Sequence, residues 1–537
     1  MVRKWLALVW IVMGLLLPHG GVKARALSAS ADCNIWWNEV LHDTFSTDYR
    51  SPVGAVPTGT TVRLRLRVAQ SDITSARVRV WDDRTNTETY YSMAWDGAFD
   101  TDPTTYDWWY VDIAVGATPT ILYYFFEIND DGGGAPCTPD QDFYVDDDPK
   151  FYGGGYGQMS DAYDDTRSFQ LTVYDPSFSV PAWMQRGVVY QIFPDRFRDG
   201  DVNNNPAAGR FSYNRSGGAI VRSQYGGNNP NGDWNFTVCD PRNLVAPTCY
   251  NPSDGYGYYG DNFYGGDLRG IIQKIEDGYF TNLGVTVLYL NPIFRSPSNH
   301  KYDTADYMVI DPDFGTLADF QELVQKAEAR GIKVVLDGVF NHTSSDSKYF
   351  DRYSRYDAAG NLTSPNGVGA DDNSGACESP NSPYRNWYYI PDIGTPGNLP
   401  DDRCDGDDGD DPGGAWTLTY EAWYGYGSLP KLQANSSAVR NLIWANGTSS
   451  VGPYWLSQGA DGWRFDVGGD VDPGLTNDPT NDYWEGFRAA ARAVKSDALL
   501  LGEEWGDASA WLLGNEWDSV MNYRFRSALL GWLMTGM

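Results

Sequence analysis

The stretch LADFQELVQKAEARGIKVVLDGVFNH (residues 317–342) decides the fold. Leu317 to Arg330 carries the clearest helical pattern of the chain, and Lys333-Val334-Val335-Leu336-Asp337 is an apolar run of strand length. A helix feeding such a strand is the crossover unit of a parallel sheet. The same rhythm recurs on both sides. Strand-like runs lie at Val188–Phe193, Val285–Leu290, Gly462–Asp466, Leu499–Glu503 and Ser519–Tyr523. Two α/β architectures accommodate this, an open doubly wound sheet and a closed (β/α) barrel. No Gly-rich phosphate loop follows the first strand, which weakens the dinucleotide-binding version of the former. Polar residues gather at the strand ends: Asp337 with Asn341 and His342, Arg464 with Asp466, and Glu503 with Glu504. In a barrel those ends meet on one face, where active sites are built.

N-terminal to this region, residues 32–178 read as an all-β sandwich. Thr61 to Val68 alternates polar and apolar residues, and Ala76–Trp81 and Ile121–Ile128 repeat the theme between turn-rich segments. Such a unit either binds polysaccharide or braces its neighbour. Residues 1–31 read as an export signal: Arg3 and Lys4 precede the apolar run Trp5–Leu17, and Ala24-Arg25-Ala26 and Ala29-Ser30-Ala31 offer small-x-small cleavage sites. An uncleaved anchor is the alternative, though the run is short for a membrane span. Six cysteines fit an oxidising, extracellular compartment and fall into local pairs, Cys33 with Cys137, Cys239 with Cys249, and Cys377 with Cys404. None forms a C-x-x-C pair, so zinc is not expected. A net charge of −31 repels phosphate backbones and argues against nucleic-acid partners. The 21 Trp and 36 Tyr suit stacking on sugar rings as well as core packing, and residue type alone does not choose between them. The connection after the third strand, about 343–430, is long, Gly/Asp/Asn/Tyr-rich, and reads as a small inserted subdomain.

Carboxylates at several strand ends suggest glycoside hydrolysis, in which one acid protonates the leaving oxygen and another attacks the anomeric carbon or activates water. Eight segments carry a resemblance: VVYQIFPDRFRDGD (188–201), NFYGGDLRGI (262–271), GVTVLYLNPIF (284–294), SPSNHKYDTADY (296–307), DGVFNHTSSDSKYFDRY (337–353), LPKL (429–432), DGWRFDVGGD (461–470) and LGEEWGDASAWLLG (501–514). In this order they resemble the α-amylase superfamily, glycoside hydrolase family 13, and within it the amylopullulanase and neopullulanase–cyclomaltodextrinase group. The resemblance covers about 187–532 and implies that residues 179–537 form a (β/α)8 TIM-barrel catalytic domain, here ending after about six strands.

The resemblance implies that Asp466 is the nucleophile and Glu503 the general acid/base of a retaining hydrolase acting on α-1,4, and also α-1,6, bonds of starch, pullulan or maltodextrins. Arg464 is expected to hold Asp466 ionised. Glu503 needs a raised pKa, which an apolar wall such as Trp505 is expected to supply. Alternation sends Glu504 to the opposite face. By the same resemblance His342 contacts the sugar, Tyr302 stacks beneath it, and Asp337 supports the arginine. Asp199, Asp201, Asn204 and Asn205 crowd one loop with hard oxygen donors. The resemblance implies a calcium site there, completed by Gly265 and Asp267. The family's third catalytic carboxylate, after strand seven, has no counterpart beyond Tyr523. The sequence is therefore expected to be a piece of a longer product. A transglycosylase would use the same residues, and a catalytically inactive glycan-binding protein is the reading from a different class.

Overall fold

The computed structural model describes residues 33–101, 104–131, 142–149, 153–206, 211–213, 219–221, 263–365, 367, 369–370, 372–390, 420–472 and 483–535. Residues 1–31, read from the sequence as an export signal, four of the six cysteines (Cys137, Cys239, Cys249, Cys404) and most of residues 206–262 lie outside the described residues. The chain divides into two compact units. One comprises Met1–Asp82, Thr87–Gly116 and Leu122–Leu171; the other comprises Asp83–Asn86, Ala117–Ile121 and Thr172–Met537.

The first unit is all β. One sheet orders Arg50–Ser51, Thr61–Ala69, Thr104–Ala114 and Ala94–Thr101. Thr61–Ala69 keeps the alternation read from its sequence, with Val62, Leu64, Leu66 and Val68 buried. Thr120–Asn129, in the second sheet, differs: nearly every residue is buried, so both of its faces are covered. His42 sits among Tyr124, Phe126 and Phe169. Its Nδ1 meets the Arg65 carbonyl at 2.8 Å and its Nε2 the Tyr124 hydroxyl at 3.0 Å. Burial pushes this imidazole from 6.5 down to about 3, against the pull of the Arg65 carbonyl. An unfolded histidine binds a proton below pH 6.5 that the folded one refuses, so the contribution is intact above that pH and lost on acidification towards 3. Stability should fall by about 1.4 kcal/mol per pH unit in that window from this residue. Urea unfolding of the wild type and of His42→Gln at pH 7, 6 and 5 checks it: the variant should lose the slope of one proton, and parallel slopes would refute it.

The second unit holds a six-stranded, wholly parallel sheet. Its strands are β1 (Val189–Ile192), β2 (Val287–Leu290), β3 (Lys333–Gly338), β4 (Gly462–Phe465), β5 (Leu499–Gly502) and β6 (Ser519–Val520), each paired with the next in chain order. A doubly wound sheet reverses its order at a switch point. This one never reverses, which is barrel topology. Among the described residues β1 and β6 each pair on one side only. The main helices are α1 (Leu268–Glu276), α2 (Leu317–Glu328), α3 (Val451–Ser457), α4 (Tyr483–Val494) and α5 (Tyr523–Thr535). Thr316 and Asp319 start α2 with a reciprocal capping box, and Gly331, at φ +70°, turns the chain from it into β3.

Alternation divides each strand between two interiors. Leu288, Leu290, Val334, Leu336, Trp463, Phe465 and Leu500 pack with the helix residues Phe320, Leu323, Trp455 and Phe487. Each such apolar side chain contributes about 1.5–3 kcal/mol on burial. On the other face, Val287, Tyr289, Val335, Leu499 and Leu501 form a separate cluster. This second face continues into charged residues, with Asp337 and Arg464 inside β3 and β4 and Asp466 and Glu503 just past β4 and β5. The sixth strand is shorter than its sequence suggests, because the Asn522 side chain accepts from the Phe525 N–H at 2.9 Å and starts α5 instead.

Candidate active site

Register puts the charged residues side by side. Asp337 on β3 is the lateral partner of Arg464 on β4, and Arg464 that of Leu501 on β5. One further step of alternation carries Asp466 and Glu503 to the same face. Arg464 gathers all three acids. Its Nη1 donates to Asp337 Oδ1 and Asp466 Oδ1, each at 2.8 Å, and its Nη2 lies 2.7 Å from Glu503 Oε2. All four side chains are buried.

Each acid is held from further directions. Asp337 Oδ2 accepts from the hydroxyls of Tyr289 and Tyr302, the latter at 2.9 Å. Glu503 Oε2 accepts from the Val467 N–H at 2.9 Å, and Oε1 from the Tyr523 hydroxyl at 3.0 Å and the Trp505 indole at 3.3 Å. Val467 adopts φ +41°, a strained conformation for a β-branched residue, and that backbone turn presents its N–H to Glu503. Gly502 is required by close approach, since a Cβ there would stand 2.0 Å from the Trp517 ring.

The electrostatics correct one expectation. Burial, and then the charge of Asp337, push Asp466 up to about 7, outweighing Arg464. Burial also raises Asp337, with Arg464 opposing. Buried carboxylates crowded around one guanidinium leave excess negative charge, so Asp337 and Asp466 each hold a proton more readily than an exposed carboxylate would. A second correction concerns Trp505. It is no apolar wall: it is 70% exposed, directs its N–H at Glu503, and stacks on Tyr523 with centroids 5.4 Å apart. Glu504 turns away, as alternation requires, and accepts from the Gly506 N–H.

His342 lies beside this group. Its Nε2 is 3.2 Å from the Tyr302 carbonyl, its Nδ1 is 3.3 Å from Asn341 Nδ2, and its ring stacks on Trp423. Burial pushes it down to about 3, so the ring is neutral. Both nitrogens have protein partners, and a bond to a sugar hydroxyl must share or displace one. The LPKL segment returns to this place, with Lys431 bridging to His342 and the Leu432 N–H donating to the Asn341 carbonyl at 2.9 Å. Sequence reasoning missed Tyr289, Val467 and Tyr523. Tyr289 was accessible by counting alternation along β2.

The loop before α1 forms a second constellation. Asn205 Nδ2 donates to Asp199 Oδ2 at 2.7 Å, and a Cβ on Gly265 would stand 2.2 Å from Asn205 Oδ1. Asp267 caps α1 through the Gly270 N–H and also accepts from the Gly200 and Asp201 N–H groups and from Asn204 Nδ2. Burial pushes Asp267 up to about 6. Three buried oxygens, Asp199 Oδ1, Asn204 Oδ1 and Asn205 Oδ1, have no hydrogen-bond partner. Orphaned carbonyl and carboxylate oxygens in one loop suit a hard cation. Asp267 differs from its expected part, since both its oxygens are engaged by loop and helix N–H donors.

Residues 191–534 match the alpha amylase catalytic domain. The chain belongs to the alpha-amylase family. Among similar proteins are the amylopullulanase of Thermoanaerobacterium saccharolyticum, 38% identical over 517 residues (94% of this chain, 35% of that protein), and neopullulanase 2 of Thermoactinomyces vulgaris, 33% identical over 361 residues (67% and 46%). A solved cyclomaltodextrinase is 26% identical, with TM-score 0.48, over 93% of this chain and 66% of that one. The chain spans about a third of the length of the amylopullulanases it matches, 35%, 24% and 30% in turn. As an alpha-amylase family member it carries the family's TIM-barrel fold, of which the sheet supplies six strands.

Proposed function

We propose that the chain is the catalytic portion of an exported, retaining α-glucan hydrolase that cleaves α-1,4, and also α-1,6, bonds in starch, pullulan or maltodextrins. The supporting observation is one guanidinium, Arg464, shared by Asp466 and Glu503 from adjacent strands. Two carboxylates held by one guanidinium suit a retaining pair, which needs a separation of about 5 Å. In this reading Glu503 gives its proton to the glycosidic oxygen while an Asp466 oxygen attacks the anomeric carbon. The C–O bond to the leaving sugar breaks and a glycosyl ester forms. Glu503 then takes a proton from water, whose oxygen displaces Asp466 and restores the anomeric configuration. Tyr523 and the Val467 N–H steer Glu503, while Asp337 and its two tyrosines steer Arg464. His342 and Tyr302 line the sugar site. Export rests on Arg3, Lys4 and the apolar run after them. The test is the anomer released from pullulan or maltotriose by the full-length protein, followed by proton NMR. The α-anomer should form first, and initial β-anomer would overturn the retaining mechanism.

Calcium at the 199–205 loop belongs to the same reading. Asp199, Asn204 and Asn205, with the Gly265 backbone beside them, would hold it, and the ion would fix the loop between β1 and α1. It would supply charge to unpartnered oxygens and take no part in bond cleavage. At a calcium concentration of about 100 times Kd, binding should stabilise the fold by about 2.7 kcal/mol. Chelation should lower the melting temperature, and Asp199→Ala should remove most of the response to calcium at this loop. A variant that responds as fully as the wild type would refute the assignment.

A further inference from the structure

Beside the Trp511–Trp517 stack, three acids converge. Asp472 closes the short helical turn Gly468–Val471 that follows Asp466, Glu485 lies in the first turn of α4, and Glu516 precedes β6. Each offers one oxygen, and the three oxygens lie within 4.8 Å of one another. We propose that Asp472, Glu485 and Glu516 form a cation site, separate from the 199–205 loop, that takes Ca2+.

Three observations carry the proposal. The spacing is one: oxygens on opposite sides of a Ca2+ ion, at about 2.3–2.6 Å each, are about 4.6–5.2 Å apart. The second is Glu516 itself, more than nine-tenths buried, with Oε2 lacking any hydrogen-bond partner while aimed into the cluster. A buried carboxylate oxygen left so is costly unless something positive meets it. The third is charge. The guanidinium acting on Glu516, Arg84, weighs less than burial or either neighbouring carboxylate. The nearby Arg488 and Arg492 are committed to Asp518. The other two acids are held by neighbouring donors. Tyr483 N–H donates to Asp472 Oδ2 at 3.2 Å, and Asn515 Nδ2 to Glu485 Oε1 at 3.0 Å.

The site ties together segments that follow β4, begin α4 and precede β6. Trp511 donates its indole N–H to the Asp472 carbonyl at 2.9 Å and stacks on Trp517, which packs against Gly502, the neighbour of Glu503. An ion here braces the strand end that carries the acid/base residue without touching substrate.

The test is calcium titration of the chelator-stripped chain by calorimetry, with Tb3+ luminescence excited through tryptophan as a second readout, since Trp511 contacts the site. Glu516→Gln and, separately, the less buried Glu485→Gln should each bind one equivalent of Ca2+ less than the wild type, or bind it at least about tenfold more weakly. Each should also show weaker tryptophan-sensitised terbium emission than the wild type. Loss of the 199–205 site would lower the count of wild type and variant alike, so the difference between them isolates this cluster. In the stripped protein Glu516→Gln removes a charge from an acidic cluster and should melt no lower than the stripped wild type. Stoichiometry, affinity and emission equal to those of the wild type in both variants would overturn the proposal. So would variants that alter only the pH dependence of melting, the behaviour of three acids sharing a proton.

Discussion

Asp466→Asn is expected to lower kcat on pullulan and soluble starch by on the order of 10^3-fold or more, with the fold intact. An amide of the same shape cannot form the glycosyl ester, and a loss of that size corresponds to about 4 kcal/mol of transition-state stabilisation. The substitution also removes one of three buried acids around Arg464, and Asp466 is the one that burial pushes up to about 7. Melting temperature at neutral pH should therefore hold or rise while activity collapses. Initial rates of reducing-sugar release by the full-length protein, wild type against variant, check it. Comparable rates would remove Asp466 from the reaction.

Arg464→Met is expected to damage both fold and activity. It leaves Asp337, Asp466 and Glu503 buried without their shared cation, and removing one side of a buried ion pair costs about 3–5 kcal/mol. The cost is electrostatic, so its sign with pH is fixed. At neutral pH the carboxylates repel, while at acidic pH they protonate and the penalty shrinks. Denaturant unfolding should show the wild type far more stable than the variant at pH 7 and the two closer at pH 4. A deficit independent of pH would mean that Arg464 matters for packing rather than charge. Arg464→Lys should not restore activity, because one ammonium cannot reproduce a fork holding Asp337 and Asp466 on one nitrogen and Glu503 on the other.

The legible part of this site was the part fixed by period two. Runs such as Lys333–Asp337 and Gly462–Asp466 are strands buried on both faces, so counting residues places Asp337, Arg464 and Asp466 together. Nothing in that count depends on loops. The illegible part begins where the strands end. Trp505 follows Glu503 closely, yet whether it walls the carboxyl or donates to it depends on backbone turns no spacing encodes. Val467 meets Glu503 only through its own left-handed turn. The cluster of Asp472, Glu485 and Glu516 draws on three segments whose meeting is a product of packing around Trp511 and Trp517. Ile121–Ile128 reads as a half-buried strand, yet Thr120–Asn129 is covered on both faces, a feature set by what packs over it rather than by its own sequence.

The central claim is that Asp466 attacks the anomeric carbon with Glu503 as its acid/base partner. It is tested most directly by trapping the intermediate. The full-length protein, incubated with a fluorinated α-glucosyl fluoride that slows deglycosylation, is digested and its peptides are weighed. The predicted result is one added glycosyl group on the peptide containing Asp466, absent from Asp466→Asn. A label on Glu503 or Glu504, or turnover with no covalent adduct and inversion at the anomeric carbon, would contradict it.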